Sequence, residues 1–188
     1  KISTPPEFII STGRLTPAKN FKQLIAAYLA SKELAPLCIL GEGEQKQELL
    51  DFIQAKGASS RVILLGYAKN PFSVLAKAKY YISASTNEGF PNALCEAMAH
   101  GLPVVATQNA TQSVSFFRHD DNMIITEGEN NNALIKAMAD AMNELIASPA
   151  KAKQIGQNAS DILNDISLEH VGAQWDHAIK CALLKKAT

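Results

Sequence analysis

Cysteine and net charge are both in short supply in this chain. Cys38, Cys95 and Cys181 form an odd, widely spaced set with no C-x-x-C pair and no ligand-like spacing to a histidine. That argues against a disulfide framework or a zinc site and fits a reducing, cytoplasmic setting. Lys plus Arg and Asp plus Glu each total 18, so no basic face is expected and nucleic acid is a poor candidate partner. No apolar run approaches the roughly 20 residues that a membrane-spanning helix needs, and no cleavable signal pattern opens the chain. His100, His119, His170 and His177 show no H-E-x-x-H or related spacing, so no metal site is expected.

Apolar residues are present in regular doses. They fill 47% of 188 positions, enough for a single domain, residues 1–188, with a substantial core. Short apolar runs at Glu7–Ser11, Leu37–Leu40, Arg61–Leu65, Tyr80–Ser83, Val104–Ala106 and Met123–Thr126 read as strands. Between them Lys19–Lys32, Glu44–Lys56, Pro71–Lys79 and a segment from Pro91 have helical spacing, with glycine or proline at the joints. This alternation predicts an α/β fold: a Rossmann-like, open, mostly parallel sheet of about six strands with helices on both faces. After Gly128 only helices are expected, at Asn131–Ser148, Ala150–Leu163 and Leu168–Lys186, giving a helical C-terminal third with a tail from about 149 to 188. Asn130, Asn131 and Asn132 supply capping groups for the first of these. Trp175, Phe116 and Phe117 are expected to pack on the domain's own core. His170 and His177 fall on a helix surface, and His100 closes a helix before Gly101.

The segment from Ser85 to Thr107 carries most of the chemistry. Pro91 is favoured in a first helical turn, and Phe90-Pro91-Asn92-Ala93-Leu94 would leave backbone N–H groups without intrahelical partners, facing an anion such as a diphosphate. Glu88 lies in the loop before this helix, and Glu96 lies a turn inside it on the face of Asn92. Acceptor-only carboxylates on either side of an anion site suit a ligand rich in hydroxyls. The loops at 12–20, 41–44, 66–70 and 85–92 all follow strands, where open parallel sheets bind ligands. Arg14 and Lys19 flank the first of these, and a lysine at a helix start opposes the macrodipole, which favours a phosphate role over a structural one. Gly41-Glu42-Gly43 is a tight turn but lacks a third glycine at Lys46, so it is a weak dinucleotide fingerprint.

The Glu88 to Glu96 spacing, E-x7-E, together with Gly13-Arg14-Leu15, Lys19-Asn20, Gly41-Glu42-Gly43 and Val62-Ile63-Leu64-Leu65-Gly66-Tyr67 in that order, resembles the retaining glycosyltransferases of the GT-B fold, group 1. The resemblance is dense over residues 7 to 107 and covers half of such an enzyme, the C-terminal domain that binds the nucleotide-sugar donor. It implies that Glu96 holds the nucleotide ribose and Glu88 the transferred sugar, with Gly89, Phe90, Pro91, Asn92, Ala93 and Leu94 around sugar and phosphate. It places Arg14 and Lys19 on the diphosphate, Gly13, Gly41 and Gly43 beside the donor, and Leu65 and Tyr67 at the base. Glu88, Arg14 and Lys19 are the implied catalytic groups.

The resemblance further implies no metal and no cofactor beyond the nucleotide-diphosphate sugar, and a glycan or lipid-linked saccharide as acceptor. It implies an acceptor-binding half that would precede Lys1 and is missing here, so donor binding without efficient transfer is expected. Peripheral attachment at the inner membrane face would come with that half. The terminal helix would cross back to it. Two stretches depart from the family pattern. Gln108-Asn109-Ala110-Thr111-Gln112-Ser113 replaces a Gly-Gly stretch followed by an acid, and Phe116 to Asn122 replaces an acid-Gly-x-Asn-Gly turn. A GT-B sugar-nucleotide epimerase and a non-catalytic nucleotide-sugar binding module are the alternatives. A nicotinamide dehydrogenase is disfavoured by the incomplete glycine motif.

Overall fold

The computed structural model describes residues 2–185. Its strands are β1 (Ile9–Thr12), β2 (Leu37–Leu40), β3 (Val62–Gly66), β4 (Tyr81–Ser83), β5 (Val104–Thr107) and β6 (Ile124–Thr126). They form one parallel sheet in the order β3-β2-β1-β4-β5-β6. The helices are α1 (Phe21–Ala30), α2 (Lys46–Ala55), α3 (Phe72–Leu75), α4 (Asn92–Ala99), α5 (Gln108–Thr111), α6 (Asn131–Ala147), α7 (Pro149–Ala159), α8 (Ile162–Asp165) and α9 (Leu168–Lys185). The expected α/β, Rossmann-like sheet and helical last third are therefore present.

Because successive side chains of a strand face opposite ways, the sheet divides two cores. Ile9 packs with Leu24, Ile25, Tyr28, Met138 and Met142 on the face covered by α1, α2 and α6. Phe8 and Ile10 pack with Leu75, Leu94, Met98 and Ile162 on the face covered by α3, α4 and α8. In α1 the buried residues Phe21, Leu24, Ile25 and Tyr28 recur at helical spacing, which lays one stripe on the sheet. Asn130 Oδ1 accepts from the Ala133 N–H at 3.0 Å and Ser148 Oγ from that of Lys151, fixing the starts of α6 and α7.

Several expectations need correction. The helix expected over Pro71–Lys79 is a single turn, Phe72–Leu75, because the chain must descend to β4 within a few residues. The start expected at Lys19 is a 3-10 turn, Pro17–Lys19, separated from α1 by Asn20 in the left-handed conformation (φ 55°). The stretch expected as Ala150–Leu163 breaks at Ser160 into α7 and α8, and α5 is an additional turn of helix. Lys186, the expected end of α9, lies outside the described residues. Trp175 is 67% exposed on α9 instead of packed on the core, as are Leu168, Ile179 and Leu183. Helix α9 presents an apolar row that the described residues do not cover. Phe117 is buried as expected, while Phe116 is partly buried and meets Phe117 edge-on at 5.0 Å.

Leu24→Ala should destabilise the chain by about 2–5 kcal/mol through the cavity left under α1. Trp175→Ala should change stability by no more than about 0.5 kcal/mol. Urea unfolding of both variants checks the assignment of core and surface.

Candidate functional site

The strand order reverses between β1 and β4. The chain leaves β1 for the face of α1 and leaves β4 for the face of α4, so the two loops diverge and open a crevice at the carboxyl ends of the strands. Tyr81 braces this point. Its buried hydroxyl donates to Thr12 O at 3.1 Å and accepts from the Thr12 N–H at 3.3 Å, tying the end of β1 to β4. Burial raises the phenol's pKa, so it stays a neutral donor. Across the crevice mouth, Ala18 O accepts from the Thr86 N–H at 2.9 Å, which fixes the loop of Lys19 to the loop of Glu88.

The cleft has a volume of 470 Å³ and is lined by Gly13, Arg14, Lys19, Gly41, Tyr67, Glu88, Phe90, Asn92, Ala93 and Glu96 among the residues named from sequence. Lys19 Nζ donates to Glu88 Oε1 at 2.5 Å, with both side chains mostly buried. An ammonium carries three donors, so Lys19 can hold Glu88 and still face an anion in the cleft. Arg14, an exposed residue, lines the same cleft. Glu96 comes from α4 one turn after Asn92. Burial pushes its carboxyl above the ordinary carboxylate pKa, and His100, whose Nδ1 lies 2.7 Å from Glu96 O, partly offsets this.

Some of the named residues have other work. Leu94 is buried in the core below, and its N–H donates to Pro91 O at 3.0 Å. Asn92 N–H is taken by Phe90 O at 2.9 Å. Pro91 caps the helix from outside, with a non-helical ψ of 67°, and does not sit in the first turn as expected. The anion-facing amide set is thus narrower than expected: of the residues from Phe90 to Leu94, Phe90 and Ala93 line the cleft with N–H groups that make no such bond among the described residues. Leu65 packs against the lower core, and Gly89 is exposed beside the cleft.

The glycines of the second loop serve the protein's own backbone. A Cβ on Gly41 (φ 152°) would lie 1.9 Å from Gly13 O, and one on Gly43 would lie 2.4 Å from Leu15 O. Gly13 N–H donates to Leu40 O and Leu15 N–H to Glu42 O, so the loops after β1 and β2 stack main chain on main chain. Thr12, Leu40, Glu42, Ala68 and Pro71 also line the cleft and were not singled out from sequence. Thr12 and Leu40 are strand-terminal neighbours of Gly13 and Gly41, the signal that could have found them.

The two departures from the family pattern lie elsewhere. Gln108 and Asn109 open α5 and line a separate cavity. In the stretch from Phe116 to Asn122, a side chain builds the turn that glycines would otherwise make. Asn122 accepts from the Arg118 N–H and donates to Phe116 O, both at 2.8 Å, and Asp120 takes the left-handed conformation (φ 59°). Among the described residues, no three His, Cys, Asp or Glu side chains converge as a metal-ligating group, and no helix is long and apolar enough to cross a membrane. Cys38 and Cys95 are buried, with thiol pKa values pushed up to about 11 by desolvation, which makes them poor nucleophiles.

The raised pKa of Glu96 has a definite stability consequence. The folded state holds this proton more tightly than the unfolded chain, so the contribution of Glu96 is most favourable below pH 4.5 and is lost as pH rises through the folded value. Glu96→Gln should therefore raise the melting temperature of the ligand-free chain at pH 7 relative to wild type, and the gain should shrink by pH 4. Thermal melts at the two pH values check this.

The family model for glycosyl transferases group 1 matches residues 1–161. A relative from Campylobacter jejuni, N-acetylgalactosamine-N,N'-diacetylbacillosaminyl-diphospho-undecaprenol 4-alpha-N-acetylgalactosaminyltransferase, is 36% identical over 137 residues, which are 73% of this chain and 38% of that protein. The crystal structure of Anabaena HepE in complex with UDP-glucose is similar with a TM-score of 0.80 at 25% identity, over 93% of this chain and 49% of that one. The C-terminal domain of a glycosyl transferase group 1 family protein from Francisella tularensis has the same fold, with a TM-score of 0.72 at 22% identity over 85% of each chain. The chain spans well under half the length of its curated relative. The motif order, the sheet and the family match agree: this chain belongs to the glycosyl transferases group 1 family.

Proposed function

We propose that the cleft between the loops after β1 and β4 binds a nucleoside-diphosphate sugar, and that the protein of which this chain is the donor-binding part transfers the sugar to an acceptor. The supporting observation is that Arg14, Lys19, Glu88, Glu96 and the start of α4 meet in one cleft at the reversal of strand order. Arg14, Lys19 and the Ala93 amide face the diphosphate. Glu96 accepts from the ribose hydroxyls, and these donors favour its ionised form against the burial that opposes it. Glu88 accepts from hydroxyls of the sugar while orienting Lys19. Tyr67, 74% exposed, and the main chain beside Leu65 border the base.

In the transfer, the bond from the anomeric carbon to the diphosphate oxygen breaks and a bond to an acceptor oxygen forms. Negative charge grows on the departing diphosphate, where Arg14 and Lys19 stabilise it without a resident metal ion. The family resemblance supports retention, with the acceptor's proton passing to the leaving phosphate. It also supports a separate acceptor-binding domain, against which the uncovered apolar row of α9 would pack. This chain by itself is proposed to bind donor and to transfer poorly.

Calorimetry with uridine diphosphate and its sugars tests the reading. Glu96→Ala should weaken uridine diphosphate binding about tenfold to a hundredfold, the size of one or two charge-assisted hydrogen bonds. Glu88→Ala should chiefly change discrimination among intact donors. Normal binding of every ligand by both variants contradicts the assignment. In the whole enzyme, Arg14→Ala should lower turnover by about 100- to 1,000-fold, as loss of one leaving-group donor does elsewhere.

A further inference from the structure

A second cavity, of 520 Å³, opens at the carboxyl ends of β4, β5 and β6, within the range of about 300–1,000 Å³ typical of small-molecule sites. Its charged side chains are all of one sign. The hydroxyl of Thr107 donates to Ser85 O at 2.6 Å, that of Thr126 to Ala106 O at 3.2 Å and that of Thr86 to Ala18 O at 3.3 Å. Each hydroxyl, its proton so used, keeps acceptor lone pairs. Glu127 and Glu129 also line it and are acceptors when ionised, and no lysine, arginine or histidine does. Gln108 and Asn109 add side-chain amides, and Ala133 and Leu134 an apolar floor. A ligand that fits must offer groups that both donate and accept, carry no negative charge and tolerate one apolar face. A neutral saccharide meets all three conditions.

The cavity's position gives that chemistry a purpose. The short segment after β4 is a partition: Thr86 lines this cavity, and Glu88, two residues on, lines the donor cleft. The partition is pinned by the bonds from the Thr86 N–H and hydroxyl to Ala18 O, next to Lys19. A saccharide in the second cavity would lie one loop's thickness from a sugar held by Glu88. We propose that this second cavity is a subsite for a neutral, polyhydroxylated acceptor segment. Its role as an acceptor subsite rests on the donor-cleft reading, whereas saccharide binding there is testable by itself.

Amide NMR titration of the 188-residue chain, with maltotriose, tri-N-acetylchitotriose, glycerol and uridine diphosphate added separately, makes the test. The expected result is saturable shifts with at least one trisaccharide at Thr86, Gln108, Asn109 and Glu127, and none there with glycerol. Gln108→Ala and Glu127→Ala, both at exposed positions, should each raise the trisaccharide Kd about fivefold and leave uridine diphosphate binding unchanged. No shifts at these amides, shifts that glycerol reproduces, or a Kd unmoved by both substitutions would overturn the proposal. If uridine diphosphate shifts Ala93 and Glu96 while neither trisaccharide binds, the donor reading stands and this inference falls. If the trisaccharide binds here and uridine diphosphate binds nowhere, the saccharide site stands and its acceptor role falls with the donor reading.

Discussion

The reversal of strand order between β1 and β4 governs the rest of the molecule. A right-handed crossover from β1 must carry α1 to one face, and the crossover from β4 must carry α4 to the other. The loops that start those crossovers therefore part, and the gap between them is built in by topology and needs no hinge or lid. Tyr81 beneath the gap and the Thr86 to Ala18 bonds across it set how wide it is. Stacking Gly41 on Gly13 and Gly43 on Leu15 brings the second loop up as a side wall. Each residue that lines the cleft inherits its position from this arrangement.

The cleft collects groups that resist being together. Glu42, Glu88 and Glu96 all line a place suited to a diphosphate, and Glu96 on α4 is partly buried. Lys19 relieves part of the conflict by pairing with Glu88, but a folding chain gains nothing from leaving Arg14 exposed or Glu96 desolvated. Local electrostatics that work against stability are expected where a ligand completes the set. The opposite end of the sheet shows the contrast. There the buried Glu33 accepts from the Ala35 N–H at 2.8 Å and the Tyr80 hydroxyl at 2.9 Å, with Lys79 at 3.4 Å. That carboxylate is fully partnered, as a structural charge should be.

The sheet was readable because parallel strands buried on both faces keep short uninterrupted apolar runs between segments of helical spacing: Leu37–Leu40 matches β2 to the residue, and the ends of the other strands are displaced by one or two positions. The cleft residues could be named because strand ends and a helix start are visible in sequence. Less visible was which atoms remain free. The Leu94 and Asn92 amides are consumed by local turns that depend on the ψ of Pro91, a value sequence does not specify. Gly41 and Gly43 read as making room for a ligand, but what they make room for is the backbone of another loop, a contact between segments some 28 residues apart. Trp175 was misjudged because an apolar helical stripe reads the same whether its cover lies within the chain or beyond it.

A crystal of the chain soaked with a uridine diphosphate sugar would show where the donor sits. The pyrophosphate should lie between Arg14, Lys19 and the Ala93 amide, with the ribose on Glu96 and the sugar on Glu88. A donor seated elsewhere on the domain, with the gap between the β1 and β4 loops left to solvent, would contradict that placement.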